Sequence, residues 1–145
     1  MNMNPNYNQT ITIYNCLRGG DNSRSMKDVW KRTVIGSCFY KNVMGRVDSD
    51  KSSEMRNVYT VRIPEDEHYR PYHEWASLPD GEMEGYFTCS VGDIIVRGVC
   101  SDEITGASPH TASELLKRYK PDAFKVMAFS DNTGHIAGKH YRIGG

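Results

Sequence analysis

The sequence predicts a mainly β fold: a small β-barrel or sandwich with one short helix at about residues 112–119 and a long projecting hairpin at about residues 28–63. Three observations support this prediction. Several segments alternate polar and apolar residues and are rich in β-branched and aromatic side chains. Turn-forming residues separate these segments at intervals of about ten residues, and one segment alone carries a convincing helix-start signal. Many short strands with little helix are typical of a barrel or a sandwich.

The first strand and the hairpin follow from this pattern. Residues 10–14 (TITIY) alternate as a half-buried strand does. Residues 28–43 (DVWKRTVIGSCFYKNV) predict one long strand with a bulge or bend at Gly36, and residues 57–63 (NVYTVRI) predict its partner, which Pro64 ends. At ~3.3 Å per residue the long strand reaches about 50 Å, more than a compact domain needs, so we expect part of it to project.

The segment between these two strands differs from both of them. Residues 45–54 (GRVDSDKSSE) are polar, of mixed charge and without periodicity, which predicts a mobile hairpin tip. We expect five charged side chains to line this projecting loop: Lys41, Arg46, Asp48, Asp50 and Lys51.

The second half of the chain alternates turns and short elements. Residues 64–85 carry three prolines among aromatic residues and predict an excursion over the core, followed by strands that begin at residues 86–90 and 94–98. Thr111 and Glu114 form a capping box for the helix, which Pro121 ends. Residues 123–129 alternate again, and residues 135–143 close the chain. The predicted core residues are Trp30, Phe39, Phe87, Ile94, Val96, Phe124, Val126 and Phe129.

Length and charge limit the function classes. A chain of 145 residues suits a single domain spanning residues 1–145. Its 18 basic and 18 acidic residues balance, so no net field would attract phosphate backbones or anionic lipid. The sequence shows no membrane span or signal peptide, and the four widely spaced cysteines are expected to be reduced and mostly buried.

Candidate catalytic and metal-binding residues have simpler structural interpretations. His135 and His140 are five residues apart, which places them on opposite faces of a strand and makes a poor metal site. Asp93 and the Asp102–Glu103 pair occupy predicted turns, where such side chains bond their own backbone. No nucleotide-binding or nucleophile motif occurs, so we expect no enzyme activity and no cofactor.

Long stretches of the chain resemble a family of short proteins encoded in the structural-gene clusters of tailed phages and prophages of Gram-positive bacteria. The similarity covers most of the chain and is carried by the strings ITIYNC, DVWKRTVIGSCFYKNV, VYTVRIPE, YFTCSVGDIIVRG, DEITG and AFKVMAFSDNTGHIAGKHYRIGG.

This resemblance implies a neck component of a virion, assembled in the host cytoplasm. Its best analogue is the head-closure protein, or stopper, a small β-barrel that forms a ring. The implied partners are further copies of itself, portal-adaptor proteins above, tail-terminator or tail proteins below, and packaged DNA in the channel, with no membrane. In stoppers a long loop between two strands reaches into the channel, and the segment at residues 45–54 resembles that element.

Two other functions remain open at this stage. The chain could act as a tail-terminator or other minor tail or tube subunit, which would keep the ring and move it down the neck. It could instead be a small nucleic-acid-binding β-barrel, with Tyr69, Tyr72 and Trp75 as stacking residues. The acidic neighbours in EDEHYRPYHEW disfavour this second alternative, because a phosphate-binding groove excludes carboxylates.

Overall fold

The structure is a computed structural model that describes residues 6–20, 27–48, 53–134, 136 and 138–145. For residues 45–48, 53–57 and 80 it describes the backbone alone. Within the described residues, seven strands form one antiparallel sheet: β1 (Gln9–Leu17), β2 (Val29–Asp48), β3 (Ser53–Pro64), β4 (Ile94–Arg97), β5 (Ala123–Lys125), β6 (Ala128–Asp131) and β7 (His140–Gly144). The same part of the chain contains three helices: α1 (Tyr72–Ala76), α2 (Asp80–Met83) and α3 (Ala112–Tyr119).

The sheet curls into a barrel-like shape, which confirms the predicted fold class. Its strand order is β5-β4-β1-β2-β3-β7-β6, so the two edge strands are consecutive in the chain. Val126 and Met127 join them: the Val126 N–H donates to the Asp93 carbonyl at 2.7 Å, and the Met127 N–H donates to the Gly144 carbonyl at 2.8 Å. All seven strands contribute to one apolar cluster inside the curl, with Ile11 and Val61 fully buried within it.

A bulge in β2 decides which side chains enter this core. The pairing of β1 with β2 shifts by one residue between Ile11↔Ile35 and Gln9↔Cys38, and Ser37 adopts a left-handed φ of 58°. The bulge predicted at Gly36 is thereby confirmed. Because it inserts one residue, inward-facing positions change from odd numbers (Ile35) to even numbers (Cys38).

The bulge also explains an error in the predicted core. Phe39 would share the inward face of Ile35 in an unbroken strand, but it lies on the outer face, with the Arg62 guanidinium 5.1 Å from its ring centroid. Tyr40 packs against the core instead. Trp30 and Phe129 are half-buried against the apolar clusters, and the other five predicted core residues are buried.

The predicted helix at residues 112–119 is confirmed as α3. Thr111 is its N-cap: the Glu114 N–H donates to Thr111 Oγ1 at 3.2 Å, and the Thr111 hydroxyl donates to Glu114 Oε1 at 2.8 Å. The fully buried Leu115 packs with Ile94 and Val96, so α3 covers the outer face of β4. This second apolar layer leaves β4 buried on both faces.

The excursion between β3 and β4 is more helical than the sequence predicted. It contains α1 and α2, whose Trp75 and Met83 are fully buried and pack with Leu17 at the end of β1. The strand expected to begin at residues 86–90 does not form. Phe87 makes one isolated bridge with Tyr69, and residues 90–93 turn directly into β4.

The cysteine prediction agrees with the structure. All four cysteines are free; Cys38, Cys89 and Cys100 are buried and Cys16 is half-buried. Among the helices in the described part of the chain, none is both long and apolar enough to cross a membrane.

Candidate functional site: the projecting ribbon

The most distinctive feature of the molecule is a two-stranded ribbon, which we define as residues 43–48 of β2 paired with residues 53–58 of β3. Pairing continues without a break from Val43↔Val58 to Asp48↔Ser53. These six residue pairs extend the hairpin by about 20 Å at ~3.3 Å per residue. The predicted long hairpin is therefore present, and it is more regular than expected.

Exposure shows that the ribbon extends beyond the core. Val43 and Val58 lie opposite each other on the outer face, and each is 44% exposed. Met44 points to the opposite face and is 58% exposed. Because neighbouring residues on a strand face opposite sides, this combination shows that neither face is covered where the ribbon begins, at Val43, Met44 and Val58.

The base of the ribbon is held firmly. The Tyr59 ring stacks on Phe124 with centroids 4.5 Å apart, and its hydroxyl donates to the Pro121 carbonyl at 2.9 Å. Asn42 Nδ2 donates to the same carbonyl at 3.3 Å. Tyr59 also exchanges two backbone hydrogen bonds with Gly145, at 3.0 and 3.2 Å. The ribbon thus projects from an anchored base.

The residues predicted to line the projecting loop lie in three different situations. Lys41 is exposed on β2, opposite Thr60 and just below the ribbon. Arg46 and Asp48 lie in strand β2, so the predicted loop at residues 45–54 is wrong at both ends: residues 45–48 and 53–54 are paired. Asp50 and Lys51 lie outside the described residues.

A shallow groove adjoins the outer face at the base of the ribbon. Its volume is about 560 Å³. Val58 and the 65% exposed Met127 line it together with the small residues Thr60, Ala128 and Gly144. Ser130 and Arg142 also line the groove, so this part of the outer face is mainly apolar with one basic residue, a composition that suits contact with another protein.

Comparison with known proteins identifies the family. Residues 6–145 match the model of a family of unknown function, DUF6751. This chain belongs to the DUF6751 family. No curated protein and no solved structure gives a significant match. Because the family match includes β1 through β7, the barrel and its ribbon are both part of the DUF6751 domain.

The second candidate site in this DUF6751 domain is Asp93, which is 1% exposed and lines a cavity of about 360 Å³ beside Cys16 and α3. Its carboxylate accepts hydrogen bonds from the Cys16 N–H at 3.1 Å, from the Ser90 N–H at 3.0 Å and from Asn15 Nδ2 at 2.8 Å. The bond to Ser90 is the turn role that the sequence predicted. The other two join this turn to β1.

The chemistry around Asp93 is that of a structural junction. Burial raises the pKa of Asp93 to about 6, although its three N–H donors oppose the shift. Burial, and then the charge of Asp28, raise the pKa of the neighbouring Cys16 thiol to about 12. A thiol with so high a pKa is a weak nucleophile at neutral pH. The cavity of the DUF6751 domain therefore contains a buried carboxyl group whose oxygens already accept hydrogen bonds, and the neighbouring Cys16 thiol is not activated as a nucleophile.

Asp102 and Glu103 of the DUF6751 domain act in tertiary contacts, so the expectation that they bond their own backbone is wrong. Asp102 Oδ2 accepts from the Tyr119 hydroxyl at 2.8 Å and from Arg118 Nη1 at 2.7 Å. These bonds hold the pKa of Asp102 below its usual value. Glu103 pairs with Arg32 at 3.2 Å. Both carboxylates fasten the loop before α3 to the rest of the domain.

The histidines considered as metal ligands are placed as follows. The His140 Nδ1 lies 2.6 Å from the Gly138 carbonyl, and its Nε2 lies 3.4 Å from Asn132 Nδ2. His135 lies outside the described residues. Within the described part of the DUF6751 chain, no three His, Cys, Asp or Glu side chains are grouped to hold a metal ion.

Sequence reasoning missed the exposed apolar residues at the base of the ribbon. It assigned function to charged residues. In the structure, the exposed side chains described on the two faces of the ribbon are Val43, Met44 and Val58. A usable signal was present: the predicted strand was longer than the core requires, so its apolar end had to lie outside.

Proposed function

We propose that this protein is a structural subunit of a tailed-phage neck: a head-closure ring component that joins the portal and adaptor to the tail and helps to retain packaged DNA. The observation that supports this role best is the projecting ribbon, whose two exposed faces begin at Val43, Met44 and Val58. The sequence resemblance to phage structural proteins supplies the context. A monomer has no use for an unpaired ribbon about 20 Å long with exposed apolar residues at its base, whereas a ring subunit has neighbours that can cover it.

The role we propose is mechanical and not catalytic. The anchored base at Tyr59, Phe124 and Pro121 would transmit force between the barrel and the ribbon. Residues 45–54 contain two basic and three acidic residues, so their charge is nearly balanced; they are Arg46, Asp48, Asp50, Lys51 and Glu54. A segment of this composition would obstruct a DNA channel without binding the DNA tightly, because net attraction to phosphate needs an excess of basic residues.

The test is electron microscopy of particles from a phage that lacks this gene, with DNA retention in the heads measured alongside. Heads that fill and then leak, beside free tails of normal length, are expected for a head-closure protein. Intact DNA-filled heads beside tails of irregular length would contradict the proposal and place the protein at the tail terminus. Complementation with the wild-type gene is the control for effects on neighbouring genes.

A further inference from the structure

The ribbon has two edges that no other strand in the described part of the chain covers. β1 pairs with β2 only as far as Cys38, and β7 pairs with β3 only from Thr60 onward. Tyr59 adds one pair of bonds, to Gly145. Among the residues that the structure describes, the ribbon strands therefore pair only with each other. An open edge of this length is a template for strand addition by another chain.

The pairing shows which backbone groups are available at these edges. Tyr59 uses both its N–H and its C=O toward Gly145, so its backbone groups point to the β7 side. Backbone groups of successive residues point to opposite sides of an antiparallel strand. Those of Thr60 and Val58 therefore point to β2, and those of Asn57 point to the open edge. On β2 the partner of Asn57 is Met44, whose N–H and C=O likewise point outward.

We propose that the partner is a second copy of this chain: the open β2 edge of one ribbon pairs with the open β3 edge of the next. This inference rests on the proposed ring role and names the contact that builds the ring. Each copy carries one edge of each kind, so a head-to-tail contact uses both edges of every copy. The strand direction alternates β2, β3, β2, β3 through the contact and stays antiparallel. A foreign strand would cover one edge and leave the other open.

Side chains favour the same arrangement. If the register within a ribbon repeats between ribbons, Val58 of one copy lies beside Val43 of the next, and the exposed valines form a continuous apolar row on the outer face. The same register would pair Arg46 with Met55, Val47 with Glu54 and Gly45 with Arg56.

Two proline substitutions in the full-length chain test the contact. Met44→Pro removes an outward N–H at the β2 edge, and Asn57→Pro does the same at the β3 edge; each leaves the bonds within the ribbon in place. We expect wild-type protein to form assemblies in sedimentation velocity. Each proline variant alone is expected to associate at least roughly tenfold more weakly, the loss that corresponds to about 1.4 kcal/mol. Circular dichroism and thermal unfolding check that both variants fold.

Mixing the two variants gives the decisive result. Met44→Pro retains an open β3 edge and Asn57→Pro retains an open β2 edge, so the mixture should form one-to-one dimers and nothing larger. Val99→Ala changes an exposed valine outside the ribbon and is the control, which should assemble like the wild type. Assemblies that persist in both proline variants, or a wild type that stays monomeric, would overturn the contact. The particle phenotype of the gene deletion decides the neck role separately, so the two proposals can fail independently.

Discussion

Asp93 makes stability depend on pH in the direction opposite to that of a salt-bridged carboxylate. Burial raises its pKa from an ordinary 3.8 to about 6 in the folded protein. Between about pH 4 and about pH 6 the unfolded chain ionises this group while the folded chain keeps it protonated. The contribution of Asp93 to the free energy of unfolding therefore falls by up to about 3 kcal/mol as the pH rises through this window.

The variant Asp93→Asn cannot ionise and measures this effect. We expect the difference in unfolding free energy between wild type and Asp93→Asn to shrink as the pH rises from about 4 to about 7. Urea denaturation across this range checks it. Asp102→Asn, measured from about pH 4 downward, is the control with opposite sign: the Tyr119 and Arg118 bonds lower the pKa of Asp102, so its contribution is lost as the pH falls below about 4. A difference for Asp93 that is constant with pH would contradict the interpretation.

Two buried threonines provide a second test at the residue scale. Thr12 and Thr88 are both fully buried, but they differ in their hydroxyl groups. Thr12 Oγ1 donates to the Gly98 carbonyl at 2.8 Å and accepts from the Cys100 N–H at 2.9 Å. Thr88 Oγ1 has no hydrogen-bond partner among the described residues. A buried hydroxyl without a partner loses its hydration and gains nothing in return.

Replacing each threonine by valine keeps the shape and removes the hydroxyl. Thr88→Val is expected to raise the free energy of unfolding by about 1 kcal/mol, and Thr12→Val to lower it by about 1–3 kcal/mol because two partners lose their bond. Chemical denaturation of both variants gives the comparison. Destabilisation by Thr88→Val would mean that its hydroxyl has a partner after all.

At the element scale, the bulge in β2 decides which side chains point toward the core in the part of the strand that leads into the ribbon. Its consequence can be measured on two adjacent aromatic residues. Phe39→Ala should cost less than about 1.5 kcal/mol, since Phe39 lies on the outer face beneath Arg62. Tyr40→Ala should cost about 3 kcal/mol, since Tyr40 packs against the core beside Phe124, at 6.4 Å between ring centroids. The reverse order would place the bulge elsewhere.

At the scale of the whole molecule, the ribbon should be separable from the barrel. Replacing residues 44–57 by Asn-Gly would join Val43 to Val58 through a two-residue turn, which suits a hydrogen-bonded antiparallel pair such as this one. We expect the free energy of unfolding to change by no more than about 1 kcal/mol, because the ribbon side chains Val43, Met44 and Val58 add little to the core.

The same shortened protein should fail to complement a phage that lacks the gene, as scored by plaque formation. The control is the full-length chain carrying Val99→Ala, a change outside the ribbon, which should complement. Unfolding of the shortened protein would show that the ribbon stabilises the barrel. Full complementation would show that the ribbon is dispensable for particle function.

The sequence by itself determined the features that depend on neighbouring residues. The mainly β class, the capping box at Thr111 and the helix at 112–119 were predicted correctly, because alternation and capping act over three or four residues. The bulge near Gly36 and the end of β3 at Pro64 were predicted for the same reason. The projecting hairpin followed from strand length alone.

Only the tertiary structure decided the features that join distant parts of the chain. The Asp93 junction brings together residues of β1 and the 90–93 turn that are 77 or 78 positions apart. The outward facing of Phe39 depends on one inserted residue, which reverses every later side chain on the strand although the local pattern is unchanged. The open edges of the ribbon depend on where β1 and β7 stop pairing. These three features cannot be predicted from a local sequence pattern, because each depends on which strand pairs with which and where the pairing ends.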